Sequence, residues 1–247
     1  YAGGQYYDFD QMRVTEDITH SFYRGTGALH PWEGVTDPID PADGEAQGKY
    51  TWAKAPRYDV PGLGYVPLEV GPLARQMMAN RPDAAAHQDY DPFVFDMISK
   101  VGANVLTRVL ARMHEAPKYF RSVKKWLGEV DLHEDFYAKP AEPASGKGFG
   151  STEAARGALS DWIVIEDGKI ANYQVITPTA WNIGPRDGSE NHGPMEKAFI
   201  GAPVQNPDFP VELAQVAHSY DSCLVCTVHA YDGKTGRELA KFRMGGG

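Results

Sequence analysis

Trp162-Ile163-Val164-Ile165-Glu166-Asp167-Gly168-Lys169-Ile170-Ala171-Asn172-Tyr173-Gln174-Val175-Ile176 is the clearest strand signal in this chain. Its two halves are rich in β-branched and aromatic residues, which favour strands. Asp167-Gly168 between them is typical of a two-residue hairpin turn. Pro178 ends the second strand, since proline cannot donate to a strand ladder. The stretch therefore predicts an antiparallel β-hairpin.

Upstream of the hairpin, apolar spacing predicts helices. Residues 66–79 become helical after Pro72, and a long helix is predicted over 93–115. Arg108 and Arg112 of that helix are predicted on a solvated or interface face, and a separate short helix follows Pro117 over 118–128. Its core-facing stripe is predicted from Phe93, Met97, Val101, Val105, Val109 and Met113, widened by Leu106 and Leu110.

The first 67 residues divide into a predicted helix and a long irregular region. Val14, Ile18 and Phe22 recur every four residues, so 8–24 are predicted helical with Asp10 as a cap. Residues 25–67 are dense in Gly, Pro and Asp and are predicted to be loop. A loop of that length in a globular protein is functional or covers a partner.

Downstream segments complete the prediction of an α+β, helix-dominated fold of core helices plus β-hairpins. Residues 138–150 are predicted as a Pro/Gly/Ser linker, 181–194 as turns, 208–218 as a short amphipathic helix and 238–243 as a short strand. Three parts are expected: a loop-rich and helical part (1–137), a hairpin and metal-ligand part (150–229) and a C-terminal extension (230–247).

Composition limits the function classes. The chain has 247 residues and a formal charge of −9, which argues against non-specific nucleic-acid binding. No apolar run approaches the roughly 20 residues of a membrane span. No basic and then apolar segment opens the chain, so no signal peptide is predicted. The start at Tyr1 rather than Met suggests a piece of a longer polypeptide.

Both cysteines lie in Asp221-Ser222-Cys223-Leu224-Val225-Cys226-Thr227-Val228-His229. Cysteine and histidine side chains suit several transition metals. A closed tetrahedral site usually takes four protein ligands, so the motif supplies only part of a site. Two other readings stay open on the local pattern: two small buried hydrophobic residues, and a redox dithiol.

The order of nine segments resembles the large subunit of a nickel–iron hydrogenase, with most similarity to the membrane-bound uptake group. The resemblance covers nearly the whole chain but only the C-terminal half of that subunit. The segments are Glu16–Tyr23, His30–Gly34, Tyr50–Tyr58, Glu69–Arg75, Arg156–Leu159, Asp167–Gln174, Pro178–Asn182, Gly184–Asp187 and the Asp221–His229 motif.

The resemblance implies a role for each residue near the metals. Cys223 is implied as a terminal nickel ligand and Cys226 as a ligand that bridges nickel and iron, where iron carries cyanide and carbonyl ligands. Arg156 is implied over the open metal position, and Asp221 pairs with it. A structural Arg156–Asp221 salt bridge is the alternative. Three residues are implied beside the iron ligands: Thr177, Pro178 and Thr179, whose hydroxyl donates to a cyanide.

A second ion and several partners are also implied. His229 and the backbone carbonyl of Val175 are implied as ligands of magnesium or another divalent ion. Iron–sulfur clusters are expected only on a small subunit, because no cysteine is left to hold one in this chain. The other expected partners are the N-terminal half of the large subunit, H2, a membrane cytochrome b and a maturation endopeptidase that cuts after His229. The implied location is membrane-associated, on the periplasmic or outer face, by export with the small subunit.

Two departures from the family pattern lie next to the implied site. Ser222 and Ala155 stand where prolines are usual, so the backbone there is less restricted and gains an N–H donor. The expected activity is reversible oxidation of H2 to protons and electrons. The alternatives are a non-catalytic scaffold related to a respiratory quinone-reductase subunit, and a zinc or dithiol-redox CxxC module.

Overall fold

The computed structural model describes residues 1–79, 92–135, 137, 143–222, 226–231 and 238–244, with the backbone alone for Val94, 226–231 and 238–244. It is 36% helical and 24% strand, which confirms an α+β fold with more helix than strand. Three antiparallel sheets and seven α-helices form from the described residues.

The first sheet is built from residues that were predicted to be helix and loop. Its strands are β1 (Val14–Asp17), β2 (Ala28–Leu29), β3 (Ala55–Val60) and β4 (Gly64–Val66), in the order β2-β1-β3-β4. The region predicted as loop also holds a 3-10 helix (Pro31–Glu33) and α1 (Pro41–Glu45). The loop prediction for 25–67 is therefore wrong where these elements form.

The helix predicted over 8–24 is also wrong. Asp10 caps only a 3-10 helix (Gln11–Arg13), and the chain then enters β1, which is buried along its whole length. Val14 lies opposite Tyr58 of β3, and the Phe22 N–H donates to the Thr51 carbonyl. Bonds to distant segments thus replace the local bonds that a helix needs, and tertiary pairing overrides the four-residue spacing.

The second sheet confirms the predicted hairpin. Its strands are β5 (Gly146–Ala154), β6 (Gly157–Glu166) and β7 (Lys169–Ile176), in sequence order. Asp167 and Gly168 both have positive φ, at 49° and 71°, as a type I′ turn requires. The predicted linker is wrong from Gly146 onward, where β5 begins; its residues 138–142 lie outside the described residues.

One core joins the two sheets. Trp162 and Ile176 of the second sheet pack with Val14, Tyr58 and Val60 of the first. The buried Trp162 indole donates to the Gln11 side chain at 2.9 Å, so its polar atom is satisfied. This core fixes the position of the β5–β6 end that approaches the candidate site.

The helical part differs from its prediction in both number and orientation. α2 (Pro72–Ala79) is confirmed, but the predicted 93–115 helix is two helices, α3 (Pro92–Val101) and α4 (Val105–Glu129). Gly102 has φ 73°, which breaks the helix, and Asn104 caps the next one in a capping box with Thr107. α4 continues through Pro117, so the separate 118–128 helix is wrong.

The predicted core stripe of these helices is mostly exposed. Phe93 and Met113 are 69% and 65% exposed, and Val101, Leu106 and Val109 are exposed as well. Arg108, predicted on a solvated or interface face, is buried instead. The buried contacts among α2, α3 and α4 come from Leu73, Ile98 and Ala111.

The C-terminal third carries three helices and a hairpin. These elements are α5 (Pro178–Ile183), α6 (Pro194–Phe199), α7 (Val211–Ser219), β8 (Cys226–Tyr231) and β9 (Glu238–Met244). α7 confirms the predicted helix at 208–218, with Leu213, Val216 and Ala217 buried, and β9 confirms the strand at 238–243. The described helices include none that is both long and apolar enough to cross a membrane.

Candidate metal centre

Arg156 lies at the tip of the second sheet, beside the end of α7. It occupies the two-residue connection between β5 and β6, where Ala154 pairs with Gly157. Its Nε donates to the Asp221 carbonyl oxygen at 3.0 Å and lies 3.4 Å from Asp221 Oδ2. The predicted pair therefore forms, and one residue, Ser222, separates Asp221 from Cys223.

Asp221 turns the chain out of α7. Its φ of 52° is left-handed, and its N–H donates to the His218 carbonyl at 3.0 Å. Aspartate tolerates this conformation better than bulky residues do. The turn places the carboxylate against Arg156 at the point where the chain leaves the helix.

A second arginine faces the same carboxylate, and the sequence interpretation missed its role. Arg112 Nε lies 3.4 Å from Asp221 Oδ2, and Arg112 Nη2 donates to the Ser219 carbonyl at 3.1 Å. Burial lowers the pKa of Arg112, and the Asp221 charge partly offsets that shift. Because arginine stays charged in proteins, two cations and one carboxylate leave a net positive charge beside the motif.

Arg75 holds the backbone that presents Arg156. It forms a two-bond pair with Glu115 at 2.6 and 2.8 Å and donates to the Ala154 and Ala155 carbonyls at 2.9 Å each. Burial alone would lower the pKa of Arg75, but hydrogen bonds with Glu115 and Glu153 raise it above its ordinary value. One feature of the sequence points to this structural role of Arg75: the residue ends the Glu69–Arg75 segment, which is one of those that carry the family resemblance.

Two glycines allow the Arg156 turn to touch the loop before α2. A Cβ on Gly71 would lie 2.9 Å from the Arg156 carbonyl oxygen, and one on Gly157 would lie 2.7 Å from the Gly71 nitrogen. Gly157 also has φ 134°, which side chains other than glycine rarely adopt. The two backbones therefore pass at a distance that only glycine permits.

Gly157→Ala is expected to destabilise the protein by about 1–3 kcal/mol from backbone strain alone, with the contact to Gly71 adding to the loss. Chemical denaturation measures the change. Gly150→Ala is the matched control, because a Cβ there meets open space, and it should stay within about 0.5 kcal/mol of wild type. Equal losses in the two variants would contradict the argument.

The residues implied beside the iron ligands lie at the start of α5. The Thr177 hydroxyl accepts from the Ala180 N–H at 3.2 Å, so Thr177 caps the helix, and Pro178 occupies its first turn. Thr179 is buried. Their distance from the Cys motif stays untested, because Cys223 lies outside the described residues and the side chains of Cys226 and His229 are not described.

Val175, the residue implied at the magnesium ion, lies in β7. It directly follows Gln174, which belongs to a buried polar cluster. Lys54 Nζ donates to Gln174 Oε1 at 2.9 Å and lies 3.7 Å from Glu16 Oε2. Burial raises the pKa of Glu16, and Lys54 opposes that rise. The described residues contain no group of three His, Cys, Asp or Glu side chains placed to hold a metal.

Comparisons with known proteins agree on one family. The family model described as nickel-dependent hydrogenase matches residues 3–229. The uptake hydrogenase large subunit of Bradyrhizobium diazoefficiens is 36% identical over 94% of this chain and 42% of its own length. The periplasmic NiFeSe hydrogenase large subunit of Desulfomicrobium baculatum is 34% identical over 96% of this chain and 46% of its own.

A solved structure gives the same result for the fold. The Ni-Fe-Se hydrogenase from Desulfovibrio vulgaris Hildenborough aligns with a TM-score of 0.76 and 35% identity, over 90% of this chain and 46% of that one. The chain thus spans less than half the length of the relatives that it matches.

Proposed function

This chain belongs to the nickel-dependent hydrogenase family, and from that we propose that it supplies half of the protein ligands of a nickel–iron centre for reversible H2 oxidation. The observation that carries the proposal is the Arg156–Asp221–Arg112 cluster at the entrance to the Cys motif. A thiolate-bound centre with cyanide ligands is anionic, and buried anions need nearby cations and hydrogen-bond donors.

The donor set fits such a centre. Cys223 and Cys226 would hold nickel, with Cys226 also contacting iron, since thiolates suit both metals. The chain has only two cysteines, so the remaining thiolates would come from the N-terminal half of the large subunit. Thr179, next to Thr177 and Pro178, would donate its hydroxyl to a cyanide.

When bound, the centre would supply the splitting of H2 into two protons and two electrons. Arg156 would act through its charge and its hydrogen bonds, because an arginine guanidinium stays protonated in proteins and is a poor proton acceptor. Asp221 fixes Arg156 through Nε, at 3.0 Å from the carbonyl and 3.4 Å from the carboxylate. The terminal nitrogens of the guanidinium would then be the donors that face the centre. The proton would pass to a cysteine thiolate or to a carboxylate of the other half.

Arg156→Lys is expected to lower H2 oxidation about 100-fold while nickel stays bound, as removal of one preorganised donor does in other enzymes. Lysine keeps the charge but loses the planar fork and the Nε bond to Asp221. Dye-linked H2 uptake by the purified complex, normalised to nickel, measures the effect. Arg121→Lys on the exposed face of α4 is the control, and equal activity of both variants would contradict the assignment.

We also propose the second ion and the partners. Magnesium or another divalent ion would bind His229 and the Val175 carbonyl, and a backbone carbonyl fits the preference of such ions for oxygen. The relatives are named large subunits, which supports an iron–sulfur small subunit as the electron acceptor. A membrane cytochrome b, an endopeptidase that cuts after His229, and a periplasmic, membrane-associated location complete the proposal.

Metal analysis of the complex as purified tests the function directly. Stoichiometric nickel, with iron in excess over nickel because the clusters of the small subunit also contain iron, together with H2-dependent dye reduction, is the expected result. A complex that contains this chain but no nickel after anaerobic maturation would overturn the proposal. Zinc at the Cys motif would favour the CxxC module instead.

A further inference from the structure

Two arginines from different elements share one oxygen of the Asp221 carboxylate. Arg156 comes from the β5–β6 turn and Arg112 from α4, and the Nε of each lies 3.4 Å from Asp221 Oδ2. Each guanidinium also donates to a backbone carbonyl, Arg156 to that of Asp221 at 3.0 Å and Arg112 to that of Ser219 at 3.1 Å. The three charged side chains are 30% to 42% exposed, so water screens their interactions only in part.

The contact between Arg156 and Asp221 differs from the usual arginine–carboxylate pair. Such pairs frequently form two parallel hydrogen bonds. Arg108 and Glu69 do so in this chain, because Nε and Nη2 of Arg108 each donate to one Glu69 oxygen at 2.8 Å. Arg156 instead reaches Asp221 through Nε alone, and its terminal nitrogens have no acceptor among the described residues.

The shared oxygen accounts for the missing second bond. To form two bonds with Arg156, the Asp221 carboxylate would have to turn away from Arg112. The Nε of Arg112 is buried and has no hydrogen-bond acceptor in the part of the chain that the structure describes, so the Asp221 charge is what compensates its burial. Removing that charge from a partly buried cation is unfavourable, and Arg112 therefore opposes the two-bond pair.

We propose that Arg112 is a positioning residue: it holds one side of the Asp221 carboxylate and thereby keeps the Arg156 terminal nitrogens available to the metal centre. This inference rests on the proposed function and deepens it, because it names the residue that sets the orientation of Arg156. Arg112 acts only through Asp221. Its own guanidinium has its described contacts with Asp221 and the Ser219 carbonyl.

Arg112→Gln tests the inference in the purified complex. Glutamine keeps an amide donor for the Ser219 carbonyl but lacks the charge that holds Asp221. The Arg156–Asp221 contact is then expected to become a two-bond pair, with Nη2 at about 2.8 Å from the carboxylate as in the Arg108–Glu69 pair. A crystal structure of the variant measures that distance. Arg121→Gln, on the exposed face of α4, is the control and should leave the contact as it is.

Infrared spectroscopy and activity give a second measurement on the same samples. The stretching bands of the carbonyl and cyanide ligands should shift in Arg112→Gln, because a nearby guanidinium has moved. H2 oxidation should fall about tenfold at unchanged nickel content, less than for outright loss of a preorganised donor. Arg112→Met, which also lacks the charge, should behave alike. Arg112→Lys keeps a charge beside Asp221 and should restore the wild-type bands; bands shifted as far as in Arg112→Gln would overturn the inference.

A double variant separates positioning from a merely structural role. Because Arg112 acts through Asp221, Arg112→Gln should add no further infrared shift in an Asp221→Asn background, whereas additive shifts would indicate independent roles and overturn the inference. The crystallographic distance needs no metal. A two-bond pair in Arg112→Gln of a complex whose wild type holds no nickel would support the positioning role and contradict the proposed function. An unchanged contact in a nickel-containing complex would overturn the positioning role alone.

Discussion

Cys226→Ser is expected to remove nickel from the purified complex and to reduce H2 oxidation to the background of the assay. Serine is nearly isosteric, but its hydroxyl is a harder and far less acidic ligand than a thiol, so it does not replace a thiolate on nickel. Cys226 would help to hold both metals in the proposed centre, so its loss would affect nickel and iron together. Cys223→Ser is expected to remove nickel with less effect on iron.

Metal content and activity measured on the same samples check this expectation. Ser222→Ala is the matched control: Ser222 lies beside Cys223, and its buried hydroxyl has no hydrogen-bond partner within the part of the chain that the structure describes. That variant should keep its nickel. A Cys226→Ser complex with full nickel occupancy would rule out the ligand assignment.

Arg57→Met is expected to destabilise the fold by about 3–5 kcal/mol, the usual loss when one partner of a buried ion pair is removed. Arg57 is 1% exposed, and its Nε donates to Asp187 Oδ2 at 2.7 Å. Its other nitrogens donate to the carbonyls of Pro56, Pro185 and Asn191, each at 2.8 Å. Methionine fills part of the volume but removes the guanidinium, the cation beside Asp187 and the side-chain donor to three carbonyls.

Chemical denaturation of wild type and variant measures this loss. The matched control is Arg24→Met, which breaks the exposed Arg24–Asp37 pair at 2.9 Å and should change the free energy of unfolding by less than about 1 kcal/mol. Similar losses in both variants would show that burial does not increase the contribution of the Arg57–Asp187 pair to the free energy of unfolding.

The same pair predicts a pH dependence at the acid end. Burial alone would raise the pKa of Asp187, but hydrogen bonds from Arg57 and from the Asn191 N–H lower it below its ordinary value. The stabilisation is therefore fully present above the unfolded value of about 3.9 and is lost as pH falls through the lower folded value. Asp187→Asn should weaken the fall in unfolding free energy below about pH 4.

Local patterns predicted the elements whose interactions are local. The β6–β7 hairpin is determined by its own turn, with Asp167 and Gly168 at positive φ. α7 is determined by the spacing of the apolar residues that it buries. β1 was missed because both strands that pair with it, β2 and β3, lie outside the predicted helix, as in the Val14–Tyr58 register. Nothing within residues 8–24 carries that information.

The candidate site was only partly predictable for a related reason. Arg156 and Asp221 were predicted as a pair from the family resemblance, and the structure places them in contact. Arg112 and Arg75 were missed, because charged residues on a helix are usually solvated. The first half of α4 departs from that rule, since Arg108 and Glu115 pack inward there while large apolar side chains are exposed.

The Arg108–Glu69 and Arg75–Glu115 pairs fix the position of α4 along its own axis. Arg108 and Glu115 are seven residues apart and each meets its own partner, Glu69 and Arg75. A slip of α4 by one turn, about 5.4 Å, would leave both charges buried without partners, a state that costs several kcal/mol per ion. This cost disfavours any shift of α4 along its axis that breaks the two pairs. Arg112 lies between Arg108 and Glu115 on the same helix, so the two pairs also hold Arg112 in place beside Asp221.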